Sequence, residues 1–327
     1  MKADQPEMIA IPVKEFISAT KLPADIYVRL PAGRFVQIAR AGEAVEMDRL
    51  LTYESKKVEF LYVRKEDYSK YVDKNITIAG ILVNRKELGE GKRHGLVTAV
   101  SQAVLKEMED LGFTEQTFNH AKAITKTTVE LIEAKPALRD MFNALNQCSD
   151  EALGHSVAVS LVSVMLGQAL GWSQQLVLEK LSLGGLLHDI GMKSLPKELN
   201  EKPRASMNYQ ELREYETHCQ RGVQILQSVG IVPDDVISIA LEHHEESSGQ
   251  GFPRRVKGVR MHPLAKVVAL ANHFCELTVK NRNAPVVRNP KEAIEFLEKT
   301  ADHMYASDLM AALESIFLQF SVQKSTG

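Results

Sequence analysis

Residues 181 to 191 read Leu181-Ser182-Leu183-Gly184-Gly185-Leu186-Leu187-His188-Asp189-Ile190-Gly191, an apolar helical run that ends on two polar, ligand-type side chains. Burying an imidazole and a carboxylate at such a place is costly unless they pair or coordinate a metal. Successive helical residues point about 100° apart, so the two can serve one ion together, or the carboxylate can bridge two ions while the imidazole binds one. The adjacent pair His243-His244 has the same property.

Working outward, the histidines are unevenly placed. Eight of the ten follow residue 150, and five of them form the series His155, His188, His218, His243, His244. A single histidine on an apolar helix is ordinarily a core or surface residue; an ordered series needs a common purpose. Three cysteines (Cys148, Cys219, Cys275), odd in number and far apart, make neither a disulfide framework nor a thiolate zinc site. Imidazole with carboxylate and no thiolate suits iron, manganese, nickel or zinc, with no preference for calcium; the donors do not choose among these four, and iron or manganese is the expectation.

The chain around this series is mainly helical. From about Arg93, apolar residues recur at helical spacing (Val97, Val100, Val104, Met108, Leu111) until Gly112 stops the helix. Further helices are expected over Thr114 to Glu133, Leu138 to Cys148 after the break at Pro136, His155 to Leu170, Gln174 to His188, Tyr209 to Val229, Pro233 to His244, Pro263 to Lys280 and Pro290 to Tyr305. Ahead of them lie three β-branched and aromatic runs, Asp25 to Leu30, Arg34 to Ala39 and Val58 to Val63, read as short strands. Pro31-Ala32-Gly33 makes a hairpin turn between the first two, and Met47 to Glu54 a brief helix before the third. The expected organisation is a small α/β domain over residues 1–75, with a regulatory or oligomerising role, a helical connector over 76–148 that relays a signal or builds a homodimer, and an all-α metal-binding domain over 149–327.

The ordered motifs resemble the HD-GYP branch of the HD phosphohydrolase superfamily, whose members typically degrade cyclic di-GMP. The likeness covers roughly Ser149 to Thr300. It rests on Gly154-His155-Ser156; on His188-Asp189-Ile190-Gly191 with Pro196 and Lys202-Pro203 downstream; on Glu216-Thr217-His218 with Gly222; and on His243-His244-Glu245 leading into Gly249-Gln250-Gly251-Phe252-Pro253. The resemblance implies an all-α domain with two metals, or three. It places His155, His188, Asp189, His218, His243 and His244 on ligand positions, with Asp189 as the bridging carboxylate. A late aspartate of the family falls on Asn272, whose amide oxygen can still coordinate with less negative charge. Glu151, one helical turn before His155, falls where some relatives hold a third metal.

Other positions depart from the family pattern. The lysine that follows the HDIG motif in the family is Met192 here, with Lys193 one residue late. In the segment that names the family an aspartate is Ser248 and the tyrosine is Phe252, and a later basic segment is echoed by Lys280 and Arg282. What the resemblance implies is a phosphodiesterase that hydrolyses cyclic di-GMP by a metal-bridging hydroxide at Asp189. Lys193, Lys280 and Arg282 would neutralise substrate charge, and Gly249, Gly251 and Phe252 would line the substrate loop. The departures motivate an alternative, a metal-stiffened module that binds a cyclic dinucleotide or a signalling protein through the Gly249 to Pro253 loop without hydrolysis. A mononucleotide phosphatase or a diiron oxygenase uses similar ligands, and the glycine-rich loop after His243-His244-Glu245 counts against both.

Composition narrows the setting. With 327 residues, 44% apolar and 25% charged, the chain can bury a full core and is not disordered. Forty Lys+Arg against 42 Asp+Glu leave a formal charge of -2, without the basic excess that drives bulk nucleic-acid binding. Neither a signal-peptide pattern nor a window of about 20 apolar residues is evident, so a cytoplasmic protein without a membrane span is expected.

Overall fold

The computed structural model describes residues 6–17, 21–31, 33–44, 58–134, 138–284 and 286–321. Strands β1 (Met8–Pro12), β2 (Ile26–Arg29), β3 (Phe35–Ala39) and β4 (Phe60–Arg64) precede helices α1 (Tyr68–Leu82), α2 (Glu90–Leu111), α3 (Glu115–Glu133), α4 (Leu138–Leu145), α5 (Glu151–Ala169), α6 (Gln175–Leu187) and α7 (Lys197–Glu201). There follow α8 (Tyr209–Glu216), α9 (His218–Ser228), α10 (Asp234–Glu242), α11 (Pro263–Thr278), α12 (Pro290–Ala301) and α13 (Ser307–Ser321). The chain forms two compact units, residues 1–124 and 125–327. Their boundary lies inside the stretch 76–148.

In the first unit the strands make one antiparallel sheet in the order β1-β4-β2-β3. β2 and β3 are the expected hairpin, closed where the Leu30 N–H donates to the Arg34 carbonyl at 2.9 Å, with Gly33 at φ +79° supplying the left-handed turn residue. β1 was not anticipated from sequence. It pairs with β4 from Met8 opposite Arg64 to Pro12 opposite Phe60, so that Ile9, Ile11, Leu61 and Val63 face the core by strand alternation. The helix expected over Met47 to Glu54 lies outside the described residues, as does Pro136. α1 buries Tyr68 and Tyr71, and Phe16 stacks on Tyr71 with centroids 5.5 Å apart. In this unit the buried His120 Nδ1 lies 2.7 Å from the buried Glu107 Oε2, an ordinary neighbouring pair of donor and acceptor.

The second unit is helical, with α5 at its centre between α6 and α11. α5 is buried on all sides because its sequence is apolar or small from Leu153 to Gly167. By length and composition it could cross a bilayer, with mean hydropathy 1.4, yet 83% of that window is buried within the protein. It is a core helix. The expected Tyr209 to Val229 helix is two helices: the Thr217 hydroxyl donates to the Glu214 carbonyl at 2.6 Å and the His218 ring to the Tyr215 carbonyl at 2.7 Å, competing with the helical ladder.

Candidate metal centre

His155 enters from the first turns of α5, whose N-terminus is capped by Asp150: its Oδ1 accepts from the Ala152 and Leu153 N–H groups at 3.0 Å each. α6 delivers His188 and Asp189 at its C-terminal end. The two helices can approach because Gly185 has no side chain; a Cβ there would lie 2.8 Å from the Ser160 backbone. The His155 and His188 rings consequently stand 5.4 Å apart.

The turn after Asp189 rests on the start of α9. A Cβ at Gly191 would lie 1.9 Å from the His218 carbonyl oxygen and 2.5 Å from the Gly222 nitrogen, so only glycine permits this contact. His218 thereby reaches Asp189. α10 ends in His243 and His244, and the loop beyond folds back on them: the Phe252 N–H donates to the His244 carbonyl at 3.0 Å, and the buried Glu245 carboxylate accepts from the Arg254 and Val256 N–H groups at 2.7 and 3.0 Å. The Phe252 ring then stacks on His244, centroids 4.5 Å apart at 26°. α11 completes the site with Asn272, whose Oδ1 is 2.8 Å from His155 Nε2.

The hydrogen bonds decide which ring nitrogens are available. Nδ1–H of His188 donates to the Gly185 carbonyl at 2.8 Å, that of His218 to Tyr215 at 2.7 Å and that of His243 to Ala240 at 3.0 Å. Each partner lies three residues back in the chain. With the proton held on Nδ1, each Nε2 presents a lone pair, the arrangement found in metal-binding histidines. Those lone pairs converge: Nε2 of His218 and His243 are 3.2 Å apart, and each is 3.4 Å from Asp189 Oδ1. His188 Nε2 is 3.4 Å from Asp189 Oδ2. His188 Nε2, Asp189 Oδ1 and His155 Nδ1 are buried without a hydrogen-bond partner.

Acceptors facing acceptors repel, and a cation among them removes the conflict. Donor atoms that share an ion at about 2.0–2.2 Å are separated by roughly 3 Å, so the observed spacings fit. Two donor groups meet at Asp189, one with His218, His243 and His244, the other with His155 and His188. Burial, reinforced by neighbouring histidine charge, holds His155 at about 4 and His244 well below the usual histidine range. Burial likewise lowers His218 to about 4, against the pull of Asp189. Neutral rings are the ligand form; His188 shifts the other way, since burial opposes its charge but Asp189 and the Gly185 carbonyl outweigh it and raise it. Burial works against ionisation of Asp189, but the surrounding His188, His243 and His218 outweigh it and hold the carboxyl well below its ordinary value.

The other residues singled out from sequence are distributed differently. Glu151 is exposed and belongs to neither donor group; Lys193 and Lys280 are exposed. Arg282 is half-buried, donates to the Asn200 carbonyl at 2.5 Å and sits 5.4 Å from the Tyr215 ring centroid. Gly251 and Phe252 line a pocket over His243, His244 and Asn272; Gly249 turns the same loop at φ +79° without lining it. Sequence reasoning missed Arg204, Glu276 and Tyr305, which line this pocket too. Glu276 was within reach, since it stands one helical turn beyond Asn272 on α11. Burial, with Asp189 nearby, pushes it up to about 7. Arg204, from the irregular stretch after Lys202-Pro203, had no periodic signal to mark it.

A profile described as HD domain matches residues 119–309 of the chain, more than half its length. The chain belongs to the HD domain family. Among curated proteins, this HD domain chain is 27% identical over 204 residues to a cyclic di-GMP phosphodiesterase of Pseudomonas aeruginosa, covering 61% of the chain and 49% of that protein. It is 28% identical over 178 residues to a cyclic di-GMP phosphodiesterase of Thermotoga maritima (53% and 47%). With 3'3'-cGAMP-specific phosphodiesterase 1 of Vibrio cholerae it shares 30% identity over 138 residues (42% and 31%). The match therefore spans about half or less of these relatives' own length. Among solved structures, an HDG"Y"P protein of Bdellovibrio bacteriovorus superimposes with a TM-score of 0.72 at 25% identity, covering 95% of this chain and all of that one. The HD-GYP likeness read from the motifs agrees with these neighbours.

Proposed function

We propose that this HD domain protein is a metal-dependent phosphodiesterase that hydrolyses cyclic di-GMP or a related 3'3'-cyclic dinucleotide. The observation that carries the reading is the knot of lone pairs at Asp189, where three imidazole Nε2 atoms and a carboxylate are turned toward one another and each imidazole is fixed by a backbone carbonyl at Nδ1. Relatives that share between 31% and 49% of their length with this chain carry cyclic dinucleotide phosphodiesterase activity in their names.

Two ions are proposed, one held by Asp189, His218, His243 and His244, the other by His155, His188, Asp189 and Asn272. Iron or manganese is proposed for these nitrogen and oxygen donors, which suit nickel or zinc as well. Ions bound there supply Lewis acidity toward a phosphoryl oxygen and lower the pKa of water. The protein's own part is to orient the ligand rings through their Nδ1 bonds, to cover one side with Phe252 and to line the pocket with Arg204 and Glu276. Hydrolysis makes one phosphorus–oxygen bond to the oxygen of water and breaks the bond to the ribose oxygen, which takes a proton; no covalent intermediate with the protein is needed. A cytoplasmic location is part of the proposal and fits cysteines that are free in the structure.

The test is incubation of metal-analysed protein with cyclic di-GMP, 3'3'-cGAMP and mononucleotides, with products separated by chromatography. Linear dinucleotide as the first product supports the reading. Turnover of mononucleotides alone overturns it, and tight binding of a cyclic dinucleotide by fully metal-loaded protein without turnover favours the non-catalytic module.

A further inference from the structure

The pocket that opens onto His243, His244 and Asn272 must attract an anion if it takes a phosphodiester, and the two arginines that line it are Arg204 and Arg255. The Arg221 guanidinium is paired with Glu214, that of Arg254 with Glu242, and Arg282 donates to the Asn200 carbonyl. Met192 offers no charge; it packs against an apolar cluster that contains Leu195, Met207, Tyr215 and Phe252. Arg204 stands over the same cluster on its open side. Its guanidinium carbon is 5.4 Å from the Phe252 centroid and 5.8 Å from that of Tyr215, and it lines the pocket.

Arg204 is held without being consumed. Its backbone N–H donates to Asn283 Oδ1 at 2.9 Å, which anchors the loop, while its side chain makes no ion pair or hydrogen bond among the described residues. Contact with ring faces engages the π surface of a guanidinium and leaves its five N–H donors at the edges. Those edges suit the paired oxygens of a phosphate. Two carboxylates of the same lining are engaged elsewhere, Glu245 by two backbone N–H groups and Glu246 by the Ser248 hydroxyl at 3.0 Å, while Glu276 lies within electrostatic reach of Arg204 without a hydrogen bond to it. Phe252 has the His244 ring stacked on it at 4.5 Å and Arg204 at 5.4 Å, so this one side chain joins the donor cluster to Arg204.

We propose that Arg204, braced over Phe252 and Tyr215, is a phosphate-binding cation of this pocket. The proposal rests on the phosphodiesterase reading for the identity of the natural ligand, and on the geometry alone for the class of group bound. Binding is measured by calorimetry on the full metal-loaded chain with two probes, cyclic di-GMP and inorganic phosphate, for wild type, Arg204→Ala, Arg204→Lys and a surface control, Lys197→Ala.

Arg204→Ala is expected to weaken both probes by about tenfold to a hundredfold, the scale of a hydrogen-bonded charge contact. Arg204→Lys, which keeps the charge and loses the planar fork, should fall between the two. Metal content per chain and thermal unfolding should be those of wild type, because Arg204 is exposed and is not a ligand. Affinities for both probes unchanged in Arg204→Ala would overturn the proposal, as would a wild type that binds neither. A wild type that binds phosphate in an Arg204-dependent way but ignores cyclic di-GMP would sustain the role of Arg204 and overturn the cyclic di-GMP reading instead.

Discussion

The two sides of the Asp189 carboxylate are not alike. On the Oδ1 side, Nε2 of His218 and of His243 press within 3.4 Å of the oxygen and 3.2 Å of each other, and the Cys219 thiol, 3.5 Å from the His218 nitrogen, is only a weak donor to relieve them. On the Oδ2 side, His155 Nε2 meets Asn272 Oδ1 at 2.8 Å, a distance that an ordinary hydrogen bond satisfies. The first side demands a cation; the second is partly content without one. The difference follows from one amide standing where a carboxylate would add a charge, and it predicts unequal metal affinities at two positions that share a bridging ligand.

The strongest way to break this comparison is to remove what the sides share. Asp189→Ala should strip both ions, seen as loss of metal by elemental analysis, and reduce hydrolysis more than about a hundredfold, since even indirect supports of metal ligands are worth 10- to 100-fold. Metal content unchanged in that variant would mean that Asp189 does not bridge. The inequality itself is sharpened by Asn272→Asp. Adding a charge on the weaker side should raise the affinity of the more loosely held ion by of the order of tenfold or more, measured by competition with a chelator, and leave the tighter ion unaffected. Equal affinities in the parent protein would remove the asymmetry.

A smaller effect concerns Glu276, at the mouth of the pocket. In the metal-free protein burial raises its pKa from 4.5 to about 7, so between those values the folded state holds a proton that the unfolded state has released. Stability from this group is therefore complete below pH 4.5 and is lost as pH rises through 7, by up to roughly 3 kcal/mol at 1.36 kcal/mol per unit. Chelator-treated Glu276→Gln should show less of that decline than wild type in urea titrations at pH 5 and pH 8. Identical pH dependence in the two proteins would show that the carboxyl is not held protonated.

Legibility in the sequence varied with the physical source of the signal. The ligand series could be read because His155, His188-Asp189, His218 and His243-His244 each sit beside a helix with clear periodicity or an apolar run. The short strand β1 and the final helix α13 were missed: five residues carry little alternation, and α13 follows a second break at residues 302–306 that obscures its start. The split at Thr217 depends on side-chain bonds to Glu214 and Tyr215 carbonyls, which no period encodes.

The sequence by itself determined the mainly helical class, the identity and order of the candidate ligands, and the substitutions at Met192, Ser248, Phe252 and Asn272. These are local properties: hydrophobic period and side-chain chemistry. Only the tertiary structure decided which ring nitrogens carry lone pairs, that Asn272 answers His155, and that Arg204 lines the pocket together with Arg255. Those outcomes depend on distances between residues up to 117 positions apart in the chain, and a distance of that kind exists only once the helices have packed.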